Sequence, residues 1–253
     1  MTGLSLSTPG EILLWRLLAA VGMASLGALI AVSFKKISHQ LLCVLISFAA
    51  GALLAVVLFD IFPETFEIAG WLPGALAIGS GYVLFHLLTK FVFHVCPACA
   101  ATHTEVNFKA ITVAMVVALS VHSCMDGLAI YSAHLANANT GILILMAVAY
   151  HKLPEGMALA LVARGSGMSR SKAFLLAAGL ELATTLAGGA AGLAVLVPGN
   201  AQWIGLVLGH VGGGFFYIVV HALLSEVFKH HPRSTVLSAL AGAGSILAMG
   251  FLS

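Results

Sequence analysis

The chain contains 253 residues, of which 60% are hydrophobic and only 8% are charged, and its formal net charge is +2. This composition excludes an ordinary water-soluble domain and indicates an integral membrane protein. At roughly 20 residues per membrane-spanning helix, the length allows about eight helices and leaves no room for a large extramembrane domain. The first ten residues carry no basic side chain and no small-residue cleavage pattern, so we expect no secretory signal peptide.

Hydrophobic runs predict an all-α, polytopic fold with eight transmembrane helices in a single domain over residues 1–253. We expect these helices at residues 11–33, 39–62, 72–94, 108–133, 139–163, 171–196, 201–228 and 233–252. Nine of the eleven lysines and arginines then lie on or beside the loops of one side: Lys35, Lys36, Lys90, Lys109, Arg164, Arg170, Lys172, Lys229 and Arg233. The positive-inside rule assigns that side to the cytoplasm and both termini to the outside.

The outer end of predicted helix 2 carries two acidic residues, Asp60 and Glu64, on either side of Pro63. Their i, i+4 spacing places both carboxylates on one helical face, where they would collect cations at an entrance. Glu64 is equally well explained as an interfacial acid, whereas the deeper Asp60 is a candidate metal-binding residue, because ionisable groups at membrane depth are costly. Cys43, earlier in the same helix, is interpreted as a small apolar core residue.

The cytoplasmic loop between helices 3 and 4, residues 95–107, is dense in metal-binding side chains. His94, Cys96, Cys99 and His103 lie within or beside it. Thiolates and imidazoles can form a tetrahedral zinc site, and the thiols would stay reduced in the cytosol. The second half of a zinc finger is absent, so a chance cluster remains the alternative.

Helices 4 and 5 carry near-copies of one motif, His122–Gly127 (HSCMDG) and His151–Gly156 (HKLPEG). In each motif a histidine precedes an acidic residue by four positions, so both side chains share one helical face. Counting residues from the basic helix ends places both motifs near the bilayer midplane. Since the two helices run antiparallel, we expect their polar faces to meet.

The meeting faces would bring together His122, Asp126, His151 and Glu155, which are donors that a divalent transition metal requires. Two imidazole nitrogens with two carboxylate oxygens suit zinc, iron(II) or manganese, whereas an all-oxygen site would suit calcium or magnesium. A single buried histidine or acid is often only a hydrogen-bonded helix contact. Two matching motifs at one depth favour a functional site.

Helices 6 and 7 offer further candidates. Glu181 on helix 6 is predicted at the depth of the helix 5 motif and is a candidate metal ligand, and Thr184 on the same face would add a weak oxygen. Near the inner end of helix 7, His221 and Glu226 form either an exit pair for the metal or ordinary interfacial polar residues. His231, beyond them, is interpreted as part of a solvated turn.

The motifs His-x-x-x-Asp-Gly and His-x-x-Pro-Glu-Gly resemble the signature helices of the ZIP (Zrt/Irt-like) metal transporters. Ser47–Gly51 through Asp60–Glu64 is similar to their second helix, and Gly213–Tyr217 through Glu226 to their seventh. The resemblance implies eight helices with both termini outside, and uptake of zinc, iron or related divalent ions toward the cytoplasm. It also implies a transport site between helices 4 and 5.

Two positions depart from the family pattern. After the helix 5 histidine the family commonly holds a metal-binding amide or carboxylate, and this chain has Lys152; after the helix 4 histidine it commonly holds Asn, and this chain has Ser123. A protonated lysine cannot bind a cation and repels one at short range. We therefore predict a single metal ion, with Lys152 in place of the second and paired with Glu155, Asp126 or Glu181.

The predicted function is transport of a divalent metal cation (zinc, iron, manganese or cadmium) into the cytoplasm by alternating access. We expect no enzymatic activity and no cofactor. The expected partners are divalent metal ions and the lipid bilayer. We expect no binding of nucleic acid, and formation of a homodimer is left open. The expected location is the cell membrane or an inner membrane. Two alternatives stay open, an intramembrane metal-dependent hydrolase and a non-transporting metal sensor, the latter motivated by Lys152.

Overall fold

The computed structural model describes residues 9–34, 38–92, 108–196, 200–224 and 231–252. Eight helices in these ranges are long and apolar enough to cross a membrane, and the described residues contain no strand. The predicted all-α fold of an integral, multi-pass membrane protein is therefore confirmed. The helices are α1 (Pro9–Ser33), α2 (His39–Ala69), α3 (Trp71–Val92), α4 (Phe108–Ala136), α5 (Ala138–Gly165), α6 (Arg170–Val195), α7 (Ala201–Tyr217, continued by the π-helical Ile218–Leu224) and α8 (Pro232–Leu252).

Helix α2 continues past its predicted end at residue 62 and reaches Ala69. Within it, Val57–Ile61 form a π-helical turn, in which the amide of Phe62 donates to the carbonyl of Val57. A proline within an α-helix loses one hydrogen bond and clashes with the preceding turn. Here the wider π turn gives the ring of Pro63 room, and Pro63 lies near the start of the last helical segment, where a missing amide proton is tolerated. The helix ends at Gly70, whose φ of 85° favours glycine.

Close helix pairs build the bundle: α1 packs on α5, α2 on α8, α3 on α7 and α4 on α6. Glycines permit this approach, because a Cβ atom at Gly156 would overlap the carbonyl oxygen of Ala24 in α1. Likewise, a Cβ atom at Gly127 would overlap the carbonyl oxygen of Thr185 in α6. The glycine that ends each histidine motif therefore allows a neighbouring helix to pack directly on the backbone of the helix that carries it.

The histidine motifs lie between two clusters of apolar side chains. One cluster joins side chains of α2, α4, α5 and α7, including Leu53, Ile130 and Phe215. The other joins the last turns of α1 and α5 to the first turns of α2 and α6, and includes Leu42 and Met157. Along both α4 and α5 the polar motif lies between the residues of these clusters, so the motifs occupy the middle of the bundle.

Two glycines in α3 test whether close backbone contact stabilises the bundle. A Cβ atom at Gly81 would overlap the carbonyl oxygen of His210 in α7, whereas a Cβ atom at Gly79 would meet nothing within 4 Å. We expect Gly81→Ala to lower the free energy of unfolding by about 1–3 kcal/mol, because the helices must separate. Gly79→Ala should be neutral or stabilising by up to about 1 kcal/mol. Thermal unfolding in detergent measures both, and equal midpoints would contradict this account.

Candidate metal centre

Four candidate ligands from α4 and α5 lie together. One ligand atom from each of His122, Asp126, His151 and Glu155 lies within 4.8 Å of the others. The Nε2 atom of His151 is 3.3 Å from Oδ1 of Asp126, and Nε2 of His122 is 3.8 Å from Oδ2 of the same carboxylate. Asp126 and His151 are buried, and the other two side chains are partly buried. We call these four residues the four-donor group.

The hydrogen bond of His151 sets which of its nitrogens can bind a cation. Its Nδ1 atom lies 3.0 Å from the carbonyl oxygen of Ala147. Because a carbonyl oxygen only accepts, Nδ1 carries a proton, and in the neutral ring Nε2 therefore keeps its lone pair. That lone pair and Oδ1 of Asp126 are both buried without a hydrogen-bond partner among the described residues. In the neutral ring these two acceptors, 3.3 Å apart, repel each other unless a metal ion or a proton lies between them.

Lys152 lies fully buried beside the four-donor group. Its Nζ atom is 2.7 Å from Oδ2 of Asp126, 3.1 Å from Oε2 of Glu155 and 2.6 Å from Oε2 of Glu181. The ammonium donates a hydrogen bond to Glu181, and it forms ion pairs with the carboxylates of Asp126 and Glu155. With these carboxylates ionised and both histidines neutral, the cluster has a net charge of −2, from three negative charges and one positive charge.

Glu181 lies outside the four-donor group, and its contacts join it to Lys152 and α4. Besides the ammonium of Lys152, its Oε2 atom accepts a hydrogen bond of 2.9 Å from the Ser123 hydroxyl. The Ser123 hydroxyl is also 2.8 Å from that of Thr185. Thr184 does not point into this network, because its hydroxyl donates to the carbonyl of Leu180 in its own helix. The prediction that Thr184 joins the site therefore fails, and Thr185, four residues after Glu181, takes that place.

Phe215 on α7 covers the two imidazoles. Its ring centroid lies 6.0 Å from that of His122 and 6.2 Å from that of His151, both in edge-on geometry, and the two imidazole centroids are 5.2 Å apart. Phe215 is 1% exposed, so it keeps this side of the histidines away from water. No local pattern assigns this role to Phe215, since an aromatic residue in an apolar helix has no distinguishing spacing.

The candidate entrance and exit residues lie elsewhere. Asp60 is half-buried in the π-helical turn of α2, and Glu64 accepts a hydrogen bond of 3.0 Å from the side-chain amide of Asn137, before α5. His221 is exposed, with Nε2 2.8 Å from the Tyr82 hydroxyl of α3. None of the three belongs to the four-donor group. The remaining candidates lie outside the described residues: Glu226, His94, Cys96, Cys99 and His103.

Comparison with known proteins gives two findings. The family model described as ZIP Zinc transporter matches residues 97–251. The chain is also 28% identical over 137 residues to Zinc transporter SLC39A7 of Homo sapiens and 29% identical over 137 residues to the protein of the same name of Rattus norvegicus. Each match covers 51% of this chain but 29% of the relative, so the chain corresponds to less than a third of the length of these relatives.

Removing the ammonium of Lys152 tests the charge network. We expect Lys152→Met to lower the free energy of unfolding of the metal-free protein by about 3–5 kcal/mol, because three buried carboxylates would lose their cation. Adding Glu181→Gln should recover part of this loss, since it removes one negative charge. The control Lys172→Met, at an exposed position of α6, should change stability by less than about 0.5 kcal/mol. Thermal unfolding with a chelator present measures all three, and a fully stable Lys152→Met would contradict the network.

Proposed function

The chain belongs to the ZIP zinc transporter family, and on that premise we propose that it carries a divalent metal cation, with zinc as the first candidate, across the membrane into the cytoplasm. The observation that carries this proposal is the buried pair of unpaired acceptors, His151 Nε2 and Asp126 Oδ1, within a four-donor group in the middle of the bundle. Two nitrogens and two oxygens also suit iron, manganese and cadmium, so these are further candidate substrates. Membership of a transporter family removes the support for the hydrolase alternative.

We propose that the four-donor group holds one metal ion. The charge of −2 in this cluster is neutralised by a single divalent cation. A second divalent ion would leave a net positive charge in a buried site and would approach the Lys152 ammonium, where repulsion in a low dielectric is strong. In this view the ammonium takes the place of a second metal, and Glu181 holds it there.

We further propose a route for the ion. Both termini lie outside the cytoplasm, and the acidic pair Asp60 and Glu64 collects the cation at the outer end of α2. The ion loses its water on the four-donor group, and it leaves toward Glu181, His221 or the cytoplasmic loop as the helices change from outward to inward access. The link between Glu64 and Asn137 supports an outer gate, because it joins α2 to the turn between α4 and α5.

Metal uptake into proteoliposomes tests transport directly. The double variant His122→Ala, His151→Ala should reduce Zn²⁺ uptake at least about tenfold, because it removes both nitrogen ligands of the site. The control His210→Ala removes a histidine that contacts Ser80 at the α3 and α7 interface, and it should keep most of the uptake. Parallel assays with Fe²⁺, Mn²⁺ and Cd²⁺ rank the substrates. Wild-type protein that binds Zn²⁺ without uptake would support the sensor alternative instead.

Metal content tests the proposal of one ion. Lys152→Glu changes the charge of the cluster from −2 to −4, so it should bind one more divalent ion than the wild type. Lys152→Gln removes the ammonium without adding a carboxylate and is the matched control for simple loss of the lysine. Metal per protein is measured after purification with excess Zn²⁺. If the double histidine variant has two ions fewer than the wild type, the transport site holds two and the proposal fails.

A further inference from the structure

A second group of metal-binding side chains lies between α2 and α8, apart from the four-donor group. It consists of His39 and Cys43 in the first two turns of α2 and of His231, which immediately precedes α8. One ligand atom from each lies within 4.8 Å of the others. Nδ1 of His39 is 3.3 Å from Nε2 of His231 and 3.6 Å from Sγ of Cys43.

The two distances from His39 fit hydrogen bonds and equally fit ligands around one tetrahedral metal ion. With ordinary zinc bond lengths, two nitrogen ligands are about 3.3 Å apart, and a nitrogen and a sulfur ligand are about 3.6 Å apart. We propose that His39, Cys43 and His231 form a second metal site, which binds Zn²⁺ or a similar sulfur-binding divalent ion through two imidazoles and one thiolate. Three ligands among the residues that the structure describes leave a fourth tetrahedral position for water or for one more donor.

The packing of the two helices supports this site. His39 and Cys43 are separated by four residues, so they share one face of α2. A Cβ atom at Gly51 or Gly242 would overlap backbone of the opposite helix, so α2 and α8 are held at close range. The carbonyl of His231 accepts from the amide of Thr235, which fixes the backbone that carries the imidazole. The site is thus formed by rigid helix starts that long-range packing brings together.

The chemistry and position of this group differ from those of the four-donor group. Cys43 is 1% exposed and packs in the apolar cluster that includes Leu42 and Met157, at one end of the bundle. A thiolate favours softer ions than carboxylates do, so the two sites would rank metals differently. Metal binding by His39, Cys43 and His231 does not depend on whether the protein transports metal. This second site could also accept metal that leaves the four-donor group. That role rests on the proposed function, in which this end of the bundle faces the cytoplasm.

Cobalt binding tests the site, because thiolate-to-Co²⁺ charge-transfer absorption requires a sulfur ligand and the four-donor group has none. The full chain with Cys96→Ser and Cys99→Ser is titrated with Co²⁺ in detergent, which removes the loop thiols as a source of signal. We expect the absorption band to reach its maximum within two equivalents of Co²⁺, since the four-donor group also binds one ion. It should disappear in Cys43→Ser and persist in Cys124→Ser, the matched control at the other described cysteine.

Variants of His39 and His231 provide a second test, which stays informative if Cys43→Ser, at a buried position, fails to fold. His39→Ala and His231→Ala, at partly exposed positions, should each weaken Co²⁺ binding at this band at least about tenfold. A band that is absent before Cys43 is changed, or that survives Cys43→Ser, would overturn the proposal, as would unchanged affinity in both histidine variants. Zn²⁺ uptake by the same background protein reports separately on transport, so loss of one result does not imply loss of the other.

Discussion

A buried ammonium group must be surrounded by negative charge, and the centre of this molecule satisfies that requirement at Lys152. Three carboxylates from three helices contact its nitrogen, since Asp126 belongs to α4, Glu155 to α5 and Glu181 to α6. The lysine therefore joins the helices that carry the donors, and it also fixes the charge that remains for a substrate. Uncompensated charge in a membrane interior is costly, so the stability of this bundle and its capacity for metal are coupled.

Backbone contacts provide the rigid frame for that cluster. Gly127 allows α6 to pack on α4, and Gly156 allows α1 to pack on α5, so each donor-bearing helix is held by a neighbour within one residue of its carboxylate. Within a bilayer, van der Waals packing of small residues replaces much of the hydrophobic driving force that acts in water. The same residues that identify the motif in the sequence thus position it in the fold.

Local spacing predicted the helices, the two polar faces and the candidate partners of Lys152, because these depend on helical periodicity and on charge. It did not predict Thr185, because the i, i+3 and i, i+4 positions both share a face with Glu181, and the choice between Thr184 and Thr185 depends on the rotation of α6 against α4. It also assigned His231 to a solvated turn, although this residue contacts His39. That contact joins residues 192 positions apart and depends on the crossing of α2 and α8, which no local pattern encodes.

The π-helical turn Val57–Ile61 has a geometric consequence for the outer part of α2. A π turn holds about one residue more than an α turn, and each residue of an α-helix corresponds to a rotation of about 100°. The number of residues in this turn, more than their chemical nature, therefore sets the direction in which Glu64 points. Loss of a single residue here would rotate Glu64 away from Asn137 without disturbing the first turns of α2. The length of this segment therefore determines how far the outer end of α2 is rotated about the helix axis relative to its inner end.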